Sequence, residues 1–381
     1  MSNRVFVIGT GLRRFGRFPD VAFKDFAWPV IVEALRESGV PRDRVDVVYS
    51  SSVFGGSLFG QQLLSRVGMT GLPVYNVENA CSSSAGGLHE AAARIESGQA
   101  DVALVIGVDM LTKLGRGPLP LNREDWEASN GVNMPVVYAM RAQRYMYEHS
   151  LKAEDLSEVT VKARAHGARN PLAQFQKAVT LEEVNGSREV ADPLRLLHCC
   201  PTGDGAAAIV LASERAAREF RPESRVHLAA RVLHSGIYDP GPNTMTTSRV
   251  SSLSARDAYE KAGIGPGDVN VLELHDSFSI AELMYYEAFQ LCEPGGAMAL
   301  LRSGATSLGG RHVVNPSGGL LSRGHPVAAS GVAQAAEITR QLEGRSGAHQ
   351  VEGAKLGIAH VTGGGISGFE HGACAVTVFK R

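Results

Sequence analysis

The feature that most constrains the fold of this chain is an internal repeat. Three segments of its first half match segments of its second half in the same order, at offsets of 224, 244 and 254 residues. The matching pairs are residues 34–49 (ALRESGVPRDRVDVVY) with 258–273 (AYEKAGIGPGDVNVLE), 87–98 (GLHEAAARIESG) with 331–342 (GVAQAAEITRQL), and 101–108 (DVALVIGV) with 355–362 (KLGIAHVT). Insertions into a duplicated fold would make the offsets rise in this way. The sequence therefore predicts two similar halves, at residues 1–225 and 226–381.

Strand and helix patterns alternate within each half, which predicts an α/β protein with a largely parallel sheet. The predicted strands are residues 5–8, 45–49, 102–108, 269–274, 356–359 and 373–379, and the predicted helices are 23–38, 83–97 and 279–289. Residues 111–194 have no counterpart in the second half, so we interpret them as an insertion in the first. An insertion that projects from a rigid scaffold is a natural place for substrate contacts.

Charge and hydrophobicity exclude several classes of partner. The formal net charge is −1, so no overall field attracts nucleic acid or an anionic membrane. The longest apolar run, residues 102–108, is too short to span a bilayer, and the run at 5–9 is too short for a signal peptide. The five cysteines are odd in number and lack CxxC spacing, which favours a reducing compartment. We predict a soluble cytoplasmic protein that binds neither nucleic acid nor membrane.

Cys81 is a candidate nucleophile because of its surroundings. It lies in the segment NACSSSAGG, a turn of small residues that opens the helix predicted at 83–97. A helix N-terminus offers free N–H groups and a positive dipole, which would lower the pKa of the thiol. The alternative is a buried structural cysteine. The other four cysteines (Cys199, Cys200, Cys292 and Cys374) have no better claim.

His325 is the candidate base, in the segment NPSGGLLSRGHP. The flanking glycines allow tight turns and Pro326 restricts the backbone, so the imidazole is held rigidly. A rigidly held imidazole suits a base that takes a proton from a thiol. The alternative is a loop histidine bonded to backbone. The offset of 244 residues relates Cys81 to His325, so the two turns can face each other across a pseudo-twofold axis.

Two further segments follow predicted strands. His275-Asp-Ser-Phe follows the strand at 269–274, and ligands of α/β proteins bind at the carboxyl ends of parallel strands. His275 is a candidate hydrogen-bond donor to a developing oxyanion, whereas Asp276 is interpreted as the cap of the helix at 279–289. The glycine-rich segment 360–368 offers free N–H groups. Gly9-Thr-Gly11 is an incomplete dinucleotide fingerprint and predicts no such site.

Taken together, NACSSSAGG, HDSF and NPSGGLLSRGHP resemble the motifs of the thiolase superfamily, in particular its sterol-carrier-protein-type (lipid-transfer-protein-like) branch with acetyl-CoA acetyltransferase members. The resemblance covers essentially the whole chain. It implies a thiolase fold, in which two duplicated α/β halves form a five-layered αβαβα core, and usually a homodimer. It also implies that coenzyme A and acyl-CoA are substrates, with no permanently bound cofactor and no metal.

The resemblance also implies roles for individual residues. Cys81 would accept the acyl group, His325 would activate it, and His275 would bind a thioester oxygen. The backbone N–H of Cys81 and one from the glycines at 363–365, with Gly364 and Gly365 as the candidates, would hold the oxyanion.

One expected residue of that family is missing, namely the second cysteine that acts as acid and base in the carbanion step. Ser277 occupies its place in the HDSF motif, and His360-Val-Thr precedes the C-terminal glycines. Ser277 and His360 are therefore the candidates for that proton transfer, although a serine hydroxyl is a much weaker acid than a thiol.

Three hypotheses follow, and the first is favoured. The chain is an acyl-CoA C-acyltransferase that uses a Cys81 thioester for thiolytic cleavage or Claisen condensation. Alternatively, it is a retro-aldolase acting on a branched or steroid side-chain CoA ester with an OB-fold/zinc-ribbon partner subunit. The missing cysteine motivates this hypothesis, but the presence of Cys81 and His325 argues against it, because an aldol cleavage needs no acyl-enzyme. The third hypothesis is a non-catalytic subunit that binds acyl-CoA or lipid.

Overall fold

The computed structural model of the chain describes residues 4–115, 117, 119, 124–237, 244–365 and 369–381. Its strands are β1 Val5–Leu12, β2 Val47–Ser51, β3 Val74–Val77, β4 Val102–Met110, β5 Glu189–Ala191, β6 Leu194–Arg195, β7 Asp204–Ser213, β8 His227–Ser235, β9 Val271–Glu273, β10 Val313–Val314, β11 Leu356–Gly363 and β12 Ala373–Lys380. Its helices are α1 Phe23–Ser38, α2 Phe59–Ser65, α3 Ser83–Glu96, α4 Trp126–Ser129, α5 Met134–His149, α6 Asp155–Gly167, α7 Leu181–Asn185, α8 Glu214–Phe220, α9 Arg249–Ala262, α10 Ser279–Ala288, α11 Ala297–Arg302, α12 Gly319–Ser322 and α13 Ser330–Leu342.

The strand order shows the duplication directly. The large sheet runs β3-β2-β4-β7-β1-β8-β12-β11-β9-β10, so equivalent strands of the two halves lie at equal distances from its centre. At that centre β1 and β8 share one registered pair, Phe6 with His227, so two five-stranded half-sheets meet at a narrow seam. The predicted α/β class and its duplication are confirmed, while the division at residue 225 stays a prediction.

The sheet is mixed, so the prediction of a largely parallel sheet was wrong. In each half the two outer ladders are parallel, as in β2–β4 and β9–β11. The inner ladders are antiparallel, as in β4–β7 and β11–β12. The connection from β11 to β12 is too short for a crossover helix, so it can only reverse the chain direction.

Helices form three layers around the two half-sheets. Helices α1, α2 and α8 pack on the outer face of the first half-sheet, and α9 and α10 cover the second. Helices α3 and α13 fill the space between the half-sheets, where Val105, Ala91 and Val332 share one buried cluster. This is the five-layered αβαβα core that was expected.

Small residues let the two central helices approach closely. A Cβ added at Gly331 of α13 would lie 2.8 Å from the Cβ and from the backbone nitrogen of Ala85 on α3. A Cβ at Gly107 of β4 would lie 2.6 Å from the carbonyl oxygen of Ala328. Only glycine permits such contacts. They bring the N-terminal ends of α3 and α13 together, and Cys81 and His325 lie just before those ends.

The predicted insertion carries α4 to α7 and packs on the second half of the molecule. Tyr138 and Ala142 of α5, and Val159 of α6, share a buried cluster with Leu283 of α10. The insertion therefore reaches across to the opposite half. Among the described ranges, no helix is long and apolar enough to cross a membrane.

Candidate active site

Cys81 lies in a tight turn between β3 and α3. Ala80 has a φ of +49°, in the left-handed region that non-glycine residues rarely adopt. The turn is closed by the N–H groups of Ser82 and Ser83, which donate to the carbonyls of Asn79 (3.0 Å) and Ala80 (3.1 Å). The backbone N–H of Asn79 donates in turn to Ser83 Oγ at 2.9 Å. The turn therefore fixes the sulfur two residues before the first residue of α3.

His325 faces this sulfur from the turn between α12 and α13. Its Nε2 lies 3.2 Å from Cys81 Sγ, and its Nδ1 lies 2.8 Å from Ser330 Oγ. Gly324 adopts a φ of +111°, which glycine alone tolerates readily, and Pro326 follows. The structure thus brings together the two residues that the offset of 244 related.

Burial keeps both groups uncharged in the free protein. It raises the pKa of the Cys81 thiol to about 12, although hydrogen bonds from the backbone N–H groups of Gly364 and Cys81 act in the opposite direction. Burial, with the charge of Arg323, lowers the pKa of His325 to about 3. The predicted lowering of the thiol pKa was wrong, because desolvation outweighs the N–H groups. The arrangement suits a thiol that transfers its proton to imidazole only during attack on a substrate.

His275 completes the group. Its ring stands edge-on to that of His325, with the ring centres 5.0 Å apart. One atom each of Cys81, His275 and His325 lies within 4.8 Å of the others. The buried Nδ1 of His275 has no hydrogen-bond partner within the described part of the chain. Burial, then the nearby His325, His371 and His360, lowers the pKa of His275 well below its usual value, so the ring is neutral.

By residue type and spacing, the same three side chains would also suit a zinc ion. The absence of a metal stays a prediction. Their chemistry equally suits acyl transfer, since a thiol, a base within hydrogen-bond distance and a second neutral imidazole are what nucleophilic attack on a thioester requires.

Of the two candidate glycines, Gly364 lies nearer the nucleophile. A Cβ added to it would lie 3.4 Å from the Cβ of Ala80, its φ is +57°, and its backbone N–H acts to lower the pKa of Cys81. The preceding Gly363 packs on the turn so closely that an added Cβ would lie 2.2 Å from the Asn79 carbonyl oxygen. Gly365 lies beside Met134, since a Cβ added at Gly365 would lie 3.1 Å from the Cε of Met134. The last residues of this glycine-rich segment, 366–368, fall outside the described residues.

The two candidates for the second proton transfer differ in position. Ser277 is buried, and its hydroxyl acts to lower the pKa of Tyr138. His360 has both ring nitrogens engaged, Nε2 with Ser251 Oγ at 3.1 Å and Nδ1 with the His275 backbone N–H at 3.4 Å. Burial lowers its pKa to about 3. His360 therefore supports His275 and does not present a nitrogen to the thiol.

Two carboxylates position the loops of the site. Asp276 does not cap α10, as the sequence suggested, but accepts the backbone N–H of Leu320 at 2.6 Å, in the first turn of α12. Asp109, which the sequence analysis missed, ends strand β4 and accepts from Ser52 Oγ (2.7 Å) and from the Ala328 N–H (2.9 Å). Burial raises the pKa of Asp109 to about 6. An acid at the end of an otherwise apolar strand was the available signal.

Comparisons with known proteins agree on one family. The model described as "Thiolase, N-terminal domain" matches residues 5–215, and "Thiolase C-terminal domain-like" matches residues 240–372. The chain is 41% identical over 370 residues to "Benzoylsuccinyl-CoA thiolase subunit BbsB" of Thauera aromatica, covering 96% of each chain. It is 37% identical to "Acetyl-CoA acetyltransferase" of Methanothermobacter thermautotrophicus, covering 99% of each. It is 36% identical to human "Sterol carrier protein 2", covering 99% of this chain and 72% of that protein.

Solved structures share the fold. The structure titled "Ltp2-ChsH2(DUF35) aldolase" superposes with a TM-score of 0.84 at 23% identity, covering 99% of this chain and 98% of the other. Human mitochondrial 3-ketoacyl-CoA thiolase superposes with a TM-score of 0.73 at 16% identity, covering 100% of this chain and 99% of the other. At these identities the likeness concerns the fold alone.

Proposed function

The chain belongs to the thiolase family, and from that premise we propose that it is an acyl-CoA C-acyltransferase that carries the acyl group as a thioester on Cys81. The observation that carries this proposal is the 3.2 Å contact between Cys81 Sγ and His325 Nε2. A nucleophile with a base in hydrogen-bond contact is the arrangement that covalent acyl transfer needs.

In the proposed reaction, the Cys81 sulfur attacks the keto carbon of a 3-oxoacyl-CoA while its proton passes to His325 Nε2. The uncharged state of both groups suits this step, because the base is free to accept a proton at neutral pH. Ser330 Oγ contacts Nδ1 of the same ring and fixes its orientation. Cleavage of the carbon–carbon bond leaves an acyl-Cys81, which coenzyme A then removes. Run backwards, the same steps give Claisen condensation.

We propose two sites that stabilise an oxyanion. We assign the oxygen of the acyl group on Cys81 to the backbone N–H groups of Gly364 and Cys81, the two that act to lower the pKa of the thiol. Gly365, the second glycine predicted for this role, lies beside Met134 and is not needed in this assignment. His275, neutral and with an unpartnered ring nitrogen within the described residues, is assigned to the thioester oxygen of the second acyl-CoA. Donors preorganised in this way act without reorganisation during the reaction.

CoA thioesters are the proposed substrates, with coenzyme A as co-substrate and no permanently bound cofactor. The names of the Thauera and Methanothermobacter relatives refer to CoA thioesters, which supports this substrate class. We also propose a cytoplasmic location, which the free state of all five cysteines supports.

For assembly we propose a homodimer, formed through the sheet edge at β3. This strand ends the sheet, and Tyr75 on it is 44% exposed, whereas a free edge of this kind is usually covered. A further partner subunit is proposed as well, since the Thauera relative is described as a subunit; the retro-aldolase hypothesis would make it an OB-fold/zinc-ribbon protein.

The test is to incubate the protein with acetyl-CoA and with acetoacetyl-CoA, quench in acid and map the modified peptide by mass spectrometry. An acyl group on Cys81 that added coenzyme A removes is the expected result. Cys81→Ala should lose the adduct and at least about a thousandfold of thiolysis. Cys292→Ala, in which a partly buried thiol away from the site is removed, should keep both.

Near-normal thiolysis by Cys81→Ala would refute the proposal. The retro-aldolase hypothesis predicts a different outcome, in which a CoA ester releases an aldehyde or ketone without consuming coenzyme A and without labelling Cys81.

A further inference from the structure

We propose that the phenol of Tyr138 is the acid and base of the carbanion step, with His371 as the residue that positions it. The proposal rests on the thiolase-type reaction proposed above. That reaction needs two proton carriers, because His325 holds the Cys81 proton while the carbanion at C2 of the departing acyl-CoA must be protonated by another group. His360 is engaged through both nitrogens, and the alcohol of Ser277 is far less acidic than a phenol.

Tyr138 reaches the site from the insertion. It lies on α5, is 2% exposed, and stacks on Phe278 of the HDSF segment with ring centres 4.5 Å apart. The Ser277 hydroxyl acts to lower the pKa of Tyr138 and the charge of Cys81 acts to raise it, so both groups lie within electrostatic range of the phenol. Tyr138 thus packs on the HDSF segment of the second half, within electrostatic range of the nucleophile.

His371 links Tyr138 to the oxyanion site. Its Nδ1 lies 2.9 Å from the carbonyl oxygen of Gly364, which can only accept, so Nδ1 carries the proton. Burial and Arg141 lower the pKa of His371 to about 4, so the ring is neutral and Nε2 is an acceptor. The Tyr138 hydroxyl therefore donates to Nε2 across 2.9 Å. Gly364, whose N–H we assign to the oxyanion, is thereby tied through His371 to the residue that we assign to proton transfer.

The surroundings of Tyr138 also stabilise its anion. The buried guanidinium of Arg141 lies with its central carbon 5.7 Å from the ring centre. Arg141, then the hydroxyls of Tyr285 and Ser277, act to lower the pKa of Tyr138 against the larger raising effect of burial. A shuttle must carry negative charge briefly, and these neighbours act to stabilise that charge.

The proton balance closes with this assignment. As the C2–C3 bond of the 3-oxoacyl-CoA breaks, its electron pair stays on C2 and takes the Tyr138 proton, which releases acyl-CoA and leaves a phenolate. The phenolate then takes the thiol proton of the incoming coenzyme A. The resulting thiolate attacks the acyl carbon on Cys81, and His325 returns its proton to the Cys81 sulfur as that sulfur leaves. Over one turnover C2 gains the Tyr138 proton and the coenzyme A proton replaces it on the phenol, so that Tyr138 and His325 both return to their starting states.

Cys200 is the competing candidate, since it is a thiol and its charge would interact with that of Cys81. Its surroundings oppose the role. Burial raises its pKa well above the usual value, and Cys199, Cys81 and Asp276 act in the same direction. Within the described part of the chain, the groups that act most strongly on Cys200 include no cation, whereas Tyr138 has Arg141.

The test separates the carbanion step from the reactivity of Cys81. Proton exchange at the methyl group of acetyl-CoA in D₂O reports the carbanion step, and alkylation of Cys81 by iodoacetamide reports the nucleophile. Tyr138→Phe should lower exchange and thiolysis about a hundredfold or more, the usual contribution of a general acid or base, and change alkylation less than about threefold. Tyr259→Phe is the matched control, because it removes another buried hydroxyl, bonded to the Phe289 carbonyl, and should leave both rates near the wild-type values.

Further variants test the alternatives. His371→Gln should lower exchange, and the double variant with Tyr138→Phe should lose no more than Tyr138→Phe alone, since residues that act as one unit are not additive. If the losses of the two single variants were fully additive in the double variant, His371 would have a merely structural role. Exchange by Tyr138→Phe within about fivefold of wild type, or a large loss in Cys200→Ala alone, would overturn the proposal. If wild-type protein neither acylates Cys81 nor exchanges protons, the thiolase-type function itself fails.

Discussion

At the scale of single residues, burial controls the reactivity of Cys81. The turn places the thiol at the N-terminal end of α3, where the helix dipole favours a thiolate. Desolvation of the sulfur nevertheless raises the pKa, the carboxylates of Asp109 and Glu78 act in the same direction, and the penalty for a buried charge is the larger effect. The nucleophile is therefore stored as a neutral thiol beside a neutral base, and it becomes a thiolate only as His325 takes the proton.

This protonation state predicts an unusual pH profile for alkylation. With a thiol pKa of about 12, the thiolate fraction rises tenfold for each pH unit throughout the range below 12. The rate of alkylation of Cys81 by iodoacetamide should therefore keep rising from about pH 6 to pH 10. An ordinary cysteine would reach a plateau above about pH 8.5. Peptide mapping would isolate the rate at Cys81, and a plateau near pH 8.5 would contradict the prediction.

At the scale of secondary structure elements, the contact between α3 and α13 determines the geometry of the site. Each helix begins just after one member of the Cys81–His325 pair, so the distance between the two helices sets the distance between sulfur and imidazole. Asp109 reinforces this arrangement, because it binds the Ala328 N–H between His325 and the start of α13. The two helices are equivalent by the internal repeat, so the reactive pair lies across the pseudo-twofold axis.

Gly331→Ala tests this contact. An alanine within a helix usually adds up to about 1 kcal/mol of stability relative to glycine. Here the added methyl group would lie 2.8 Å from Ala85, so overpacking should cost about 1–3 kcal/mol in the free energy of unfolding. Thiolysis should fall as well, because the helix ends are forced apart.

Urea unfolding and steady-state kinetics would measure both effects. The control is Gly267→Ala, where the added Cβ would meet only Arg311 Nη2 at 3.4 Å, an ordinary contact. That variant should stay within about 0.5 kcal/mol of wild type. A Gly331→Ala protein as stable as wild type would show that the central helices adjust freely.

At the scale of the whole molecule, the exposed edge of the sheet predicts assembly. Strand β3 ends the sheet, its central residues are exposed, and Tyr75 stacks on Tyr49 with ring centres 5.1 Å apart. Light scattering should therefore give twice the chain mass of 40.4 kDa. Tyr75→Lys should shift the protein toward the monomer, because a charge on an edge strand opposes pairing. Tyr147→Lys, a change at a 79% exposed residue on α5, is the control. A monomeric wild-type protein would contradict the homodimer.

By itself, the sequence was sufficient to predict the duplication, the α/β class and the encounter of Cys81 with His325. It also predicted the approximate positions of strands β1, β2, β4, β9, β11 and β12 and of helices α1, α3 and α10. These features follow from apolar periodicity and turn residues, which are local in the sequence. Because the chain carries the pattern twice, one offset of 244 residues relates the two reactive residues. Helix α1, predicted at residues 23–38, begins and ends at those residues in the structure.

Only the tertiary structure decided the protonation states, the direction of the inner strands, the task of Asp276 and the engagement of His360. It also joined Tyr138 to His371, which lie 233 residues apart in the chain. The physical reason is that a pKa depends on burial, and a hydrogen bond on which atoms meet after folding. No local pattern in the sequence records either quantity, because both arise from contacts between elements distant along the chain.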